Sequence, residues 1–260
     1  MSRGLRQAVL LTGGDPVHPA LASQLPDPAY VIAADSGLEQ AGALGVGVDL
    51  AVGDFDSVSP ARLEAAVAAG CRVERHPAAK DHTDLELGLR AAREWGAERV
   101  LVVGGHGGRL DHLLANALVL AGADFADLSV EALMGPARLF VVRRHLELHG
   151  RPGELVSLLA VGGPASGVRT DGLRYPLTGE ELRAGSTRGV SNEMIGPVAT
   201  VALSAGTLLA VLPGQLGGTG PERRPAADHP LRRGRPPLDG GPGERKLAQK
   251  VFCAEGAGSA

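Results

Sequence analysis

Residues 30–57 read YVIAADSGLEQAGALGVGVDLAVGDFDS. Two short apolar runs, Tyr30–Ala34 and Leu50–Val52, flank a helical pattern over Gly37–Leu44. Both runs are near-continuously apolar rather than alternating, as strands buried on both faces are. Each stops at an acid: Asp35 after the first, Asp54 and Asp56 after the second. Strand–helix–strand units of this kind build a parallel sheet, which takes its ligands at the carboxyl ends of its strands.

The same alternation extends on both sides. Ala8–Leu11, Cys71–Val73 and Val100–Val103 read as further buried strands. Ala61–Ala69, Asp84–Trp95 and Leu110–Ala121 read as the helices between them. Residues 1–135 are therefore expected to form an α/β domain with a parallel sheet. Beyond that point Leu139–Val142, Glu154–Val161, Thr200–Leu203 and Leu208–Val211 are short strands parted by Gly/Pro turns. Residues 136–216 are expected to form a smaller all-β, sandwich-like domain. Residues 217–260 hold 9 Gly and 6 Pro, a composition that predicts disorder. This tail is basic but lacks the interleaved aromatics that stack nucleic-acid bases.

Composition sets outer limits. The chain has 260 residues, 44% hydrophobic and 21% charged, enough for a sizeable core. Its two cysteines, Cys71 and Cys253, cannot make a disulfide framework, and point to a reducing, cytoplasmic compartment. No apolar run approaches the roughly 18 residues of a membrane span. The apolar run near the N-terminus is too short for a secretory signal. A net charge of −3 argues against nucleic acid as the main partner.

The acids carry the chemistry. Asp81 and Asp84 sit in KDHTD before a helix, and Asp111 sits in GGRLDH after the fifth strand. With Asp35, Asp54 and Asp56 they crowd one edge of one sheet. A lone Asp there is ordinarily a turn former or helix cap. Thr83 and Glu86 also make the T-x-x-E pattern of a capping box. Six acids together repel one another unless a cation sits among them. Mg²⁺, a hard ion held by carboxylates and substrate phosphates, is the natural one. The two-residue spacing of Asp54 and Asp56 points both side chains the same way if the segment is extended.

Phosphate donors stand nearby. Thr12-Gly13-Gly14-Asp15 closes the first strand, and Gly104-Gly105-His106-Gly107-Gly108-Arg109 closes the fifth and opens a helix. Glycines let backbone N–H groups approach an anion, and a helix N-terminus favours one. Arg109 can fork onto a phosphate and Lys80 can add a point charge. Acids, glycine turns and cations together fit a nucleoside triphosphate with Mg²⁺. His112 and Asn116 share one helix face and can serve a ligand or a solvated surface alike.

AADSG, VGDFDS, KDHTD, GGRLDHLLAN and STRGVSNE stand in the order found in thiamine pyrophosphokinases, and from Leu11 to Leu212 the chain resembles that family. The resemblance implies an α/β catalytic domain, a C-terminal β-sandwich, and a homodimer that binds thiamine at the subunit interface. It implies ATP with Mg²⁺ as donor, and release of AMP. Asp35, Asp54, Asp56 and Asp84 then look like the metal and catalytic carboxylates, with Asp35 also near ATP. Lys80, Thr83, Arg109 and Gly104, Gly105, Gly107 and Gly108 look like nucleotide contacts. Asp111, Ser191 and Asn192 look like thiamine contacts. Ser36 departs from the family's usual glycine. An aromatic ring often stacks on thiamine in this family, but the sequence names no partner; the sole tryptophan, Trp95, lies on a first-domain helix. The rival readings are a non-catalytic thiamine or nucleotide sensor and a Mg²⁺-dependent nucleotide hydrolase. A full set of acids speaks against the first, and the β-domain and SNE against the second.

Overall fold

A computed structural model describes residues 5–27, 29–77 and 81–214. Lys80 and the 217–260 tail lie outside the described residues. The first half forms β1 (Gln7–Thr12), β2 (Tyr30–Ala34), β3 (Leu50–Gly53), β4 (Arg72–Arg75) and β5 (Arg99–Val103), all parallel, in the order β5-β1-β2-β3-β4. Helices α1 (Gly37–Leu44), α2 (Pro60–Ala68), α3 (Asp84–Trp95) and α4 (Leu110–Leu120) lie between strands as the patterns predict. The alternation of β1 assigns the layers. Ala8 and Leu10 pack in one core with Leu85 and Leu89 of α3. Val9 and Leu11 pack in another with Ala41 and Leu44 of α1 and Leu21 of the 3-10 turn Pro19–Gln24. The sheet is thus buried on both faces, and the order in which strands are added reverses between β1 and β5. In an open α/β sheet such a switch point is where ligands bind.

One strand departs from expectation. Cys71–Val73 was expected to be buried on both faces, yet β4 is the sheet's edge, and three of its four residues are exposed. Its charged residues, Arg72, Glu74 and Arg75, suit an edge, where charge discourages pairing with another chain.

The sheet does not stop at residue 135. β6 (Ser129–Met134) pairs parallel with β5, and then antiparallel with β7 (Ala137–Val142). β14 (Leu208–Leu212), β9 (Leu155–Ala160) and the two-residue β12 (Asn192–Glu193) extend the same sheet to ten strands. The change near residue 135 is a change of strand direction. A second sheet, β11 (Thr178–Leu182), β10 (Ala165–Asp171), β13 (Val198–Ala202) and β8 (His145–His149), is antiparallel. It packs on β7, β14 and β9 around Val142, Val156, Leu158, Leu208, Val168 and Val201. The fold is therefore a parallel α/β layer joined through a shared sheet to a β-sandwich. No described helix is long and apolar enough to cross a membrane.

Candidate active site

Three acids meet at the ends of β2 and β3. Carboxylate oxygens of Asp35, Asp54 and Asp56 all lie within 4.8 Å of one another. Asp35 holds a left-handed backbone (φ 45°), which Asp tolerates better than most residues, and its N–H donates to the Val52 carbonyl at 2.8 Å. That bond ties the end of β2 to β3. The side chain is buried, at 8% exposure, and its Oδ1 has no hydrogen-bond partner. Burial pushes the Asp35 carboxyl above the ordinary range. The Ser36 N–H pulls it back, and the charges of Asp84, Asp54 and Asp56 push it further up.

Asp54 and Asp56 converge for a different reason than alternation along a strand. Phe55, between them, is left-handed (φ 63°), and the Asp56 N–H donates to Asp54 Oδ1 at 3.2 Å. A tight turn, not an extended segment, brings the two acids together. An aromatic residue in that conformation costs about 1–3 kcal/mol. Phe55 is 7% exposed, among Leu38, Val58 and Cys71, and burying such a ring stabilises by about 1.5–3 kcal/mol, enough to hold the turn. Asp84 opens α3 and reaches the same place. A methyl group at Gly53 would stand 3.1 Å from Asp84 Oδ1 and 3.2 Å from Asp35 Cβ, so Gly53 is the spacer between them.

Thr83 caps α3, its hydroxyl accepting from the Glu86 N–H at 3.3 Å. Glu86 bonds Arg90 at 2.8 Å and faces His82 at 3.0 Å. The Thr83 hydroxyl keeps its proton to donate. Ser36 has an ordinary helical backbone (φ −62°), and its hydroxyl fills the space that the missing Cβ of Gly13 leaves. The serine is thus accommodated without strain.

The two glycine turns brace each other across the switch point. Gly105 N–H donates to the Gly13 carbonyl at 2.7 Å, Asp15 N–H to the His106 carbonyl at 2.7 Å, and Gly104 N–H to the Leu133 carbonyl at 3.0 Å. The amides of Gly104 and Gly105 are therefore committed to the scaffold, and Gly107 and Gly108 carry the chain on to α4. Arg109 grips Asp111, its Nε donating to Oδ1 at 3.1 Å. That bond holds the exposed Asp111 carboxyl down at about 2. Asn116, on α4, donates to the Gly105 carbonyl at 3.4 Å and so supports the turn.

Ser191 and Asn192 lie at the far edge of the ten-stranded sheet. Ser191 is left-handed (φ 59°), and its N–H donates to Ser157 Oγ at 3.0 Å. The Asn192 side chain is buried and clamps the backbone of Tyr175: Oδ1 accepts from Tyr175 N–H at 3.0 Å, and Nδ2 donates to its carbonyl at 2.8 Å. What this clamp presents is the ring of Tyr175, 64% exposed. Sequence reasoning missed Tyr175; its signal is an aromatic residue inside a Gly/Pro turn, GLRYP. Trp95 is elsewhere, stacked on Tyr30 at 4.6 Å with Arg6 over it at 4.2 Å. That cluster lies at the amino end of β2, away from the acids.

Comparison with known proteins agrees with this arrangement. The profile of the thiamin pyrophosphokinase catalytic domain matches residues 22–132, and that of the vitamin B1 binding domain of thiamin pyrophosphokinase matches residues 143–208. Thiamine pyrophosphokinase of Bacillus subtilis is 28% identical over 171 residues, 62% of this chain and 76% of that protein. The crystal structure of thiamine pyrophosphokinase from Bacillus subtilis superposes with a TM-score of 0.71 at 23% identity, over 80% of this chain and 99% of that one. The thiamin pyrophosphokinase from Geobacillus thermodenitrificans gives 0.66 at 28% identity, over 80% and 97%. Two domain profiles in the expected order, over a sheet whose acids converge where that order puts them, place the chain in the thiamine pyrophosphokinase family.

Proposed function

We propose that the protein transfers the terminal pyrophosphoryl group of ATP to the hydroxyl of thiamine, giving thiamine diphosphate and AMP. The observation that carries this is the acid cluster with its orphaned Asp35 oxygen. A buried, unpaired carboxylate oxygen beside two further acids is a donor set for a hard divalent cation, and Mg²⁺ fits it. Asp35, Asp54 and Asp56 would hold the ion, with Asp84 beside them. Such an ion, when bound, would supply positive charge that offsets the charge building up on the transferring group. The remaining work falls to the chain. The Thr83 hydroxyl and the amino end of α4 receive phosphate oxygens. Arg109 exchanges Asp111 for phosphate as the substrate arrives, and Lys80 adds charge. A carboxylate of the set, Asp56 or Asp84, accepts the thiamine proton.

The site is shared between two copies of the chain. Seven strand spacings separate β12 from β2 in the ten-stranded sheet, which is roughly 34 Å at about 4.8 Å per strand. Thiamine cannot span that distance, so Tyr175 and Asn192 of one subunit serve the acids of another. α4 supplies a surface for the contact. Leu110, Leu114 and Leu118, one stripe at four-residue spacing, are 68%, 55% and 56% exposed. A two-fold dimer buries such a stripe on its own copy. Residues 1–135 then bring the nucleotide and residues 136–216 the thiamine, in a cytoplasmic enzyme. The test is incubation with ATP, Mg²⁺ and thiamine. Thiamine-dependent AMP together with thiamine diphosphate supports the reading; no product, or ATP hydrolysis indifferent to thiamine, refutes it.

A further inference from the structure

We infer that Gln40, buried in α1, is a positioning residue that fixes the two glycine turns relative to the acids, a reading that rests on the transfer reaction proposed above. α1 begins one residue after Asp35, and the rest of its buried face is glycine or apolar: Gly37, Leu38, Ala41 and Leu44. Gln40 stands on that face at 4% exposure. A carboxamide buried there destabilises the fold unless its polar atoms are bonded, a cost that an apolar side chain would avoid. Its three hydrogen bonds all go to the 14–17 loop. Oε1 accepts from the Val17 N–H at 3.0 Å, and Nε2 donates to the carbonyls of Asp15 at 3.2 Å and Gly14 at 3.4 Å.

The loop needs these bonds. Residues 13–18 are neither helix nor strand, and Pro16 brings no N–H. The Gly14 and Asp15 carbonyls and the Val17 N–H therefore have no ladder to join, and Gln40 satisfies all three. Ser36 secures the same loop one helical turn earlier, its hydroxyl lying where a Cβ of Gly13 would stand. α1 thus grips the first glycine turn along its length, and the first turn holds the second. Besides the Gly105–Gly13 and Asp15–His106 backbone bonds, the Asp15 carboxylate lies where a Cβ of Gly107 would stand, with its Oδ2 3.5 Å from Nδ1 of His106. A continuous path of contacts runs from Asp35 through α1 and Gln40 to Asp15, and on to Gly107 ahead of α4. The path keeps the acids and the turns proposed to face phosphate in one frame, and group transfer is sensitive to that frame: a shift of about 1 Å originating far from the chemistry can slow it roughly 100-fold.

Gln40→Met keeps the length of the side chain and removes all three bonds. Its kcat/KM for ATP should fall by about tenfold or more, while the KM for thiamine stays within about twofold. Mg²⁺ alone should raise the melting temperature of the variant as it does that of the wild type, because the acids stand at the ends of β2 and β3. In hydrogen exchange without substrate, the amides of Val17, Asp15 and Gly105 should exchange about tenfold faster or more, and those of β3 and α3 as in the wild type. Gln40→Leu replaces Gln40→Met if that variant does not fold, and in the wild type itself the Val17 amide should be protected although it lies in a loop. An unprotected Val17 amide overturns the assignment. So does a folded Gln40 variant with the wild-type kcat/KM for ATP, whether or not it melts lower, since a lower melting point alone marks a merely structural residue. Loss of the Mg²⁺ response along with turnover overturns it as well, because it marks general disruption. If the wild type makes no thiamine diphosphate, the catalytic reading fails by itself, and the exchange rates still decide whether Gln40 fixes the turns.

Discussion

An ionised Asp35, buried and with one oxygen unpaired, burdens the metal-free fold. Its carboxyl is raised above the unfolded value of 3.8, so folding favours the protonated form. The cost is absent below the unfolded pKa, grows as pH rises through the raised one, and is complete above it. Asp35→Asn removes the charge and keeps a residue that tolerates the left-handed backbone. Without metal at pH 7 the variant should be more stable by about 1–3 kcal/mol, and the gain should vanish as the pH approaches 4. Mg²⁺ should raise the melting temperature of the wild type only, and the variant should be inactive. A metal-free Asp35→Asn protein that melts below the wild type at pH 7 would contradict this account. Asp35, Asp54 and Asp84 were legible because each stands where a strand ends or a helix begins. Tyr175 was not, because a single ring in a loop carries no period, and only the folded structure shows the Asn192 clamp that fixes its backbone.

Among the elements, β3 and α4 make the sharpest demands. Gly53→Ala inserts a methyl group between Asp35 and Asp84 at a backbone φ of 144°, where side chains are strained. Turnover should fall by more than tenfold, with a smaller loss of stability; wild-type turnover would show that the spacing of these two acids is unimportant. Leu114→Asp puts a charge in the α4 stripe. It should turn the proposed dimer into a monomer in sedimentation and abolish thiamine diphosphate synthesis, while the helix content stays the same. A Leu114→Asp dimer with full activity would place the interface elsewhere. The strands β1 to β3 and β5 and all four helices could be read from the sequence, since burial on both faces, or on one helical stripe, leaves a strong pattern. β8 (HLELH) and β11 (TGEEL) could not. They are five residues long and largely polar, and β10 shifts register twice along β11, so no period-two signal survives.

Across the whole molecule, the sequence shows which residues bear chemistry but not which of them can meet. That depends on strand order. β12 reaches the far edge of the sheet through pairings between residues distant in sequence, such as Asn192 with Val156 and Leu208 with Val142, and local patterns hold no record of these. The order places the β12 edge, where thiamine is proposed to bind, and the acids of one chain too far apart to share a substrate. Subunit mixing addresses this directly. Asp54→Asn should inactivate the acid cluster, and Tyr175→Ala should leave almost no turnover at low thiamine. With each variant assayed alone at that concentration and then mixed through reversible dissociation, random pairing makes half the dimers mixed, each with one intact site. Activity should return to about a quarter of the wild-type value if the site is shared in a two-fold dimer. Verified mixed dimers that stay as inactive as their parents would mean that the acids and Tyr175 of a single chain work together, contradicting the shared site.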